Sequence, residues 1–291
     1  MPSPSVADVL RCDLRQWGMA TTSSKERSIR HSKDEIRALM MTAGTELLEE
    51  EGLGIGAVDL TFKRVFDRVL ATSGVRLTNG SVIRRVWENQ AEFQDDVLAA
   101  IARSGDSSGE LDDTATALLA VFESIELATP EDRVRGLSEM CRVGGEATLR
   151  TLVDSGTWSL WVGVWVLAVT GPPSSRGSGI RAALVEGREA TTDLWGQMFD
   201  AAASYLGLRL RGEFTLRQFT LMVGALIEGC ALRESADPEG ASLLRPTGPD
   251  GAQQGWTLFG VGLEALALHY FEVDPDWTVP EIPGTVESVE R

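Results

Sequence analysis

Within the short run from Thr78 to Arg85 the chain sets out Thr78, Asn79, Gly80, Ser81, Arg84 and Arg85, a set of hydroxyls, an amide and guanidiniums suited to recognition rather than bond breaking. Arginine reaches guanine O6 and N7 with two donors, asparagine pairs with the adenine edge, and small hydroxyls suit phosphates or bases. Lys63 and Arg76 lie close by. From Thr61 to Gln90 six basic residues (Lys63, Arg64, Arg68, Arg76, Arg84 and Arg85) face two acidic ones, a local net charge of +4 that suits phosphate contact along one face. Lys25, Arg27, Arg30 and Arg37 add positive charge upstream. The plainer reading of Arg84 and Arg85 is a solvated helix face.

Covalent chemistry finds little to work with. Two histidines (His31, His269) and three scattered cysteines (Cys12, Cys141, Cys230) contain no Cys-x-x-Cys and leave almost no ligands for a zinc site; no nucleophile–base pair or paired-carboxylate spacing stands out. No catalytic residue, metal or cofactor is therefore expected, and an enzyme is not the expected class. His269 reads as structural. Gly52-Leu53-Gly54-Ile55-Gly56-Ala57 carries the glycines of a dinucleotide loop, but they follow a helix where that loop must follow a strand. Odd, scattered cysteines fit a reducing compartment without disulfides. There is no cationic leader, and the longest apolar stretch, Trp158 to Thr170, falls short of the about 20 residues a membrane span needs, so a cytoplasmic protein with no membrane partner is expected.

Three helices must position the polar cluster. Ser32-Lys33-Asp34-Glu35 has capping-box spacing, and Ile36, Leu39, Met40, Ala43 and Leu47 follow as one apolar stripe that Gly52 and Gly54 end. A second helix fits Thr61 to Thr72, with Phe62, Val65, Phe66 and Val69 inward, ending at Ser73-Gly74. A third is predicted to start at Thr78 or Asn79 and to run through Val82, Ile83, Val86 and Trp87, with Trp87 as a core plug. Two helices joined by so short a turn form a helix-turn-helix.

Beyond Asn89 the pattern is helical, with loops at 104–110, 129–131, 171–179, 209–213 and 235–250 and no sustained period-two alternation. Trp158, Trp161 and Trp165 share a helical face and Trp195 stands on the next long helix; they read either as the wall of an effector cavity or, more plainly, as core filling. The last two helices, Thr215 to Glu234 and Gln253 to Glu272, are the most apolar. Phe219, Met222, Val223, Leu226 and Ile227 on one, with Leu258, Val261 and Ala265 on the other, are candidates for an isologous four-helix dimer interface.

The runs Ile36 to Gly52 (IRALMMTAGTELLEEEG), Gly74 to Gln90 (GVRLTNGSVIRRVWENQ) and Glu92 to Leu98 (EFQDDVL), in that order, resemble the DNA-binding domain of the TetR family of bacterial transcriptional regulators, and this chain looks like a divergent member. The resemblance implies an all-α fold: an N-terminal three-helix helix-turn-helix DNA-binding domain followed by a helical C-terminal effector and dimerisation domain. It implies a homodimer on a palindromic DNA operator, a repressor released by a small apolar or aromatic effector. Where the family usually has Tyr near position 83 or 84, Phe at 87 and Lys at 90, this chain has Ile83 or Arg84, Trp87 and Gln90, with one extra residue between Gly80 and Trp87. Two other classes stay open: a helical protein-interaction module that has lost sequence-specific DNA binding, and an all-α enzyme using the C-terminal cavity.

Net charge divides along the same line. The 291 residues carry -16 overall, which argues against a nucleic-acid partner, yet residues 1–90 hold 13 basic against 12 acidic and all the excess acid lies beyond. The expected domains are a tail (1–31), the helix-turn-helix domain (32–104), the ligand-binding and dimerisation domain (105–274) and a C-terminal tail (275–291).

Overall fold

The computed structural model describes residues 31–53, 59–104, 110–171 and 175–278. Lys25, Arg27, Arg30, Cys12 and most of the glycine run from Gly52 to Ala57 lie outside them. The described chain is mostly helical. The order is α1 (Lys33–Glu51), α2 (Phe62–Ser73), α3 (Asn79–Val82), α4 (Gln90–Ser104), α5 (Glu110–Ser124), α6 (Pro130–Asp154), α7 (Gly156–Thr170), α8 (Ser175–Tyr205), β1 (Leu208–Leu210), α9 (Leu216–Ala236), β2 (Ser242–Arg245), β3 (Gln254–Thr257), α10 (Leu258–Tyr270) and β4 (Phe271–Val273).

These helices start and stop for local chemical reasons. Ser32 caps α1 by accepting the Glu35 amide at 3.1 Å, while the Glu35 carboxylate accepts the Ser32 amide at 2.7 Å. Gly52, at φ 78°, ends it, and Gly74, at φ 72°, ends α2; both angles favour glycine over any L side chain. Thr61, Ser155, Thr215 and Thr257 cap α2, α7, α9 and α10 with their hydroxyls.

Two compact units result, and the first is discontinuous: residues 1–108 with 154–191, against 109–153 with 192–291. The linear division into 32–104 and 105–274 thus follows chain order but not packing. In the first unit, α7 and the first part of α8 close the core of α1–α4 with Leu160, Trp161, Val164, Ala168, Ile180, Ala183 and Leu184. Gly44 lets α1 and α4 approach, since a Cβ there would meet the Phe93 ring at 3.1 Å and Val97 at 3.2 Å. Fully burying one ring such as Phe93 contributes about 1.5–3 kcal/mol.

In the second unit, Arg133 is buried, donating to the Gly207 and Asp274 carbonyls at 3.3 and 3.2 Å beneath the Trp277 ring. Helices α6 and α10 cross where a Cβ on Gly145 would come within 3.0 Å of Gly260 Cα. Two short antiparallel ladders, β1–β4 and β2–β3, brace the ends of α9 and α10.

Three expectations are corrected. The chain from Gln254 to Thr257 is strand β3, so the last helix begins at Leu258 rather than Gln253. The helical stretch after 131 breaks at Ser155, where α6 ends and α7 begins. Helix α3 is one turn, ending at Val82 instead of continuing to Trp87. No single described helix is long and apolar enough to cross a membrane.

Candidate nucleic-acid interface

The short α3 follows from where its apolar residues must go. Val82 and Trp87 are both buried in one core, 0% and 2% exposed. In a continuous helix, five residues at 3.6 per turn would rotate Trp87 about 140° away from Val82. The chain leaves the helix instead. Ile83 turns extended, Arg84 takes a left-handed φ of 62°, and the Arg84 amide donates to the Trp87 carbonyl at 2.8 Å. The Val82 carbonyl collects the amides of Arg85 and Val86 at 3.2 and 2.9 Å. The chain between Val82 and Trp87 thus forms a buckle rather than a longer helix.

That buckle sets out the polar cluster. Thr78, Asn79, Gly80, Arg84 and Arg85 are exposed, and Ser81 is half-buried, its hydroxyl donating to the Thr78 carbonyl at 2.7 Å. Beside them runs an open groove of about 610 Å3 with a floor of Phe62, Phe66, Leu77 and Ile83 and a rim of Lys63, Arg76, Thr78 and Asn79. The structure therefore brings Lys63, Arg76, Thr78 and Asn79 to one groove, with Arg84 and Arg85 on the turn that follows.

The local charge of +4 is largely answered from α1. Arg68 holds Glu50 at both carboxylate oxygens and reaches Glu46 at 3.6 Å; Arg64 pairs with Glu51. The Arg68 hydrogen bonds hold the Glu50 carboxyl below its ordinary pKa and raise that of Arg68; Glu51 does the same to Arg64. Lys63 meets Asp67 at 3.1 Å, and Arg37, counted with the upstream cations, meets Asp96 at 2.8 Å. Arg85 donates to the His31 carbonyl at 2.8 Å, tying the root of the N-terminal segment to the buckle. Among the described residues, Arg76 and Arg84 pair with no carboxylate.

Reading the sequence alone missed these partners. Glu46 and Glu50, at i, i+4, both face Arg68, and Glu51 faces Arg64, a signal visible only once α1 and α2 are known to be neighbours. It missed Gln90 as well, whose side-chain oxygen accepts the Phe62 amide at 3.1 Å and so serves the start of α2.

The tryptophans separate. Trp158 and Trp161 are buried in the first unit, Trp161 beneath the Arg188 guanidinium, while Trp165 lies on the exposed side of α7. Trp195 belongs to the second unit, its ring 5.7 Å from Phe199. None of the four lines the groove.

Of the dimer candidates, Phe219 and Val223 are buried within their own unit, Leu226, Ile227 and Val261 are half-buried, and Met222, Leu258 and Ala265 are exposed. Met222, Ala225, Gly229 and Leu232 form a stripe on α9; Leu258, Val261, Ala265 and Leu268 form one on α10, and the two helices pack together. No family model matches this chain, and no curated protein matches it.

Proposed function

We propose that this chain is a TetR-like transcriptional regulator, a repressor that binds a palindromic DNA operator as a homodimer and is released by a small apolar or aromatic effector. The observation that carries the reading is the exposed pair Arg76 and Arg84, left without carboxylate partners beside Thr78 and Asn79 while the neighbouring cations are engaged. Unneutralised guanidiniums next to base-reading side chains suit a phosphate-lined duplex.

The apolar stripes of α9 and α10 supply the reason for pairing. Monomeric proteins rarely leave such contiguous surface open, and an isologous four-helix contact would cover both stripes at once. A twofold homodimer would match the half-site spacing of one helical turn, or a multiple of it, in a palindromic operator. The effector would act through its different affinities for DNA-competent and incompetent states. Selecting bound fragments from random DNA tests the reading: an enriched palindrome bound more weakly by Arg76→Ala and Arg84→Ala is expected, and no enrichment at low salt sinks it.

One observation favours a second reading. A single-turn α3 presents few side chains to a major groove, which suits an interaction module that has given up sequence-specific DNA binding. Failure to be retained on heparin, with a captured protein partner, would support it.

A further inference from the structure

Trp87 does more than fill the core. Its ring packs edge-on to Phe93 at 4.9 Å, and its indole N–H donates to Asp96 Oδ2 at 2.6 Å. The same Asp96 oxygen takes Arg37 Nη2 at 2.8 Å, and the Arg37 guanidinium lies 5.8 Å from the Trp87 ring centroid. Three elements therefore converge on one carboxylate: α1 through Arg37, α4 through Asp96 itself, and the end of the buckle through Trp87.

The backbone of Trp87 is also what holds Arg84. The Arg84 amide donates to the Trp87 carbonyl, and Ile83 and Trp87 bridge across the turn. A non-glycine residue at positive φ persists only where its surroundings over-determine it, and such strain gathers at functional positions. A phenylalanine at 87 would keep an aromatic ring against Phe93 but is smaller and has no N–H for Asp96, so this device depends on tryptophan.

Resting on the DNA-binding reading, we infer that Asp96 is a positioning residue for recognition: through the Trp87 indole it locks the 83–87 buckle and so fixes where Arg84 meets the duplex. Asp96 itself touches no DNA. Its removal should blur sequence preference without removing a phosphate contact.

The test uses the full chain, with amide exchange and DNA binding read on the wild type, Asp96→Ala, Asp96→Asn and Trp87→Phe. Trp87→Phe keeps the packed ring should Asp96→Ala fold poorly, and Asp96→Asn keeps an acceptor for the indole while dropping the Arg37 pair. Exchange protection of the Arg84 amide should fall about tenfold in Asp96→Ala and Trp87→Phe, as expected for loss of one hydrogen bond to a charged group, and less in Asp96→Asn. Affinity for the selected sequence should fall by a similar factor, while affinity for random DNA and the salt slope stay at wild-type values. Unchanged protection at Arg84, or a lowered salt slope, overturns the inference. A wild-type protein that selects no sequence overturns the DNA reading alone, because exchange at Arg84 still reports whether Asp96 holds the turn.

Discussion

Arg68 and Glu50 form a two-point ion pair between α2 and α1, with Arg68 Nη1 at 2.7 Å from Glu50 Oε1 and Nη2 on the other carboxylate oxygen. A guanidinium so engaged has few donors left for a phosphate. Arg68→Ala should therefore leave the salt dependence of DNA binding unchanged, whereas Arg76→Ala should lower the slope of log K against log salt by about 1 and Arg84→Ala should relax sequence preference. Fluorescence titrations of selected and random DNA across a salt series separate the three variants; a slope change in Arg68→Ala alone would reverse the assignment.

The same pair ties part of the first unit's stability to pH. Hydrogen bonding to Arg68 depresses the Glu50 pKa, and the Ser32 amide depresses that of Glu35. A group whose folded pKa is lowered stabilises fully above its ordinary value, here 4.5, and loses that stabilisation as pH falls through the lowered one. Glu50→Gln should melt below wild type at about pH 6, and the gap should close as pH falls through the lowered Glu50 pKa and the carboxylate takes up its proton. Melting curves across a falling pH series check this; a constant gap would show that the charge of Glu50 is not what matters.

Gly44 marks the tightest crossing of α1 and α4. A leucine there must displace Phe93 and Val97, and overpacking of this kind costs about 1–3 kcal/mol. Gly44→Leu should lower the denaturation midpoint in urea, whereas Gly80→Ala, whose added methyl would meet only Thr78 Oγ1 at 4.0 Å, should not. Equal midpoints would contradict the packing described.

The stripes on α9 and α10 predict association. Met222→Glu with Ala265→Glu places charge on both exposed faces and should convert a dimeric mass to a monomeric one by light scattering, with helicity retained. A wild-type monomer would remove the four-helix interface from the proposal.

Local chemistry is legible in the sequence. The Ser32–Glu35 capping box, the stops at Gly52 and Gly74 and the inward stripe of α1 each involve residues a few positions apart, so spacing alone exposes them. What escaped depends on distant partners. Glu46 and Glu50 read as solvated acids until α2 lies alongside α1, and the Trp87 indole finds Asp96 only after α4 has turned back. The α3 prediction failed because its periodic residues, Val82, Val86 and Trp87, fit a helix pattern while their burial demanded a different path. Strands of three or four residues are too short to display alternation, and Ser155-Gly156 interrupts an apolar run that otherwise reads as continuous.

The discontinuity of the first unit governs the order in which the protein can be made. Helices α1–α4 emerge from the ribosome long before Leu160, Trp161, Val164 and Leu184, which complete their core. Until Thr191 has been synthesised, the N-terminal helices hold an unfinished apolar surface, and contacts so far apart in sequence are slow to close. A fragment cut after Ser104 would lack the α7 and α8 side chains that complete this core, so the N-terminal helices are not a portable piece of this chain but a product of its return.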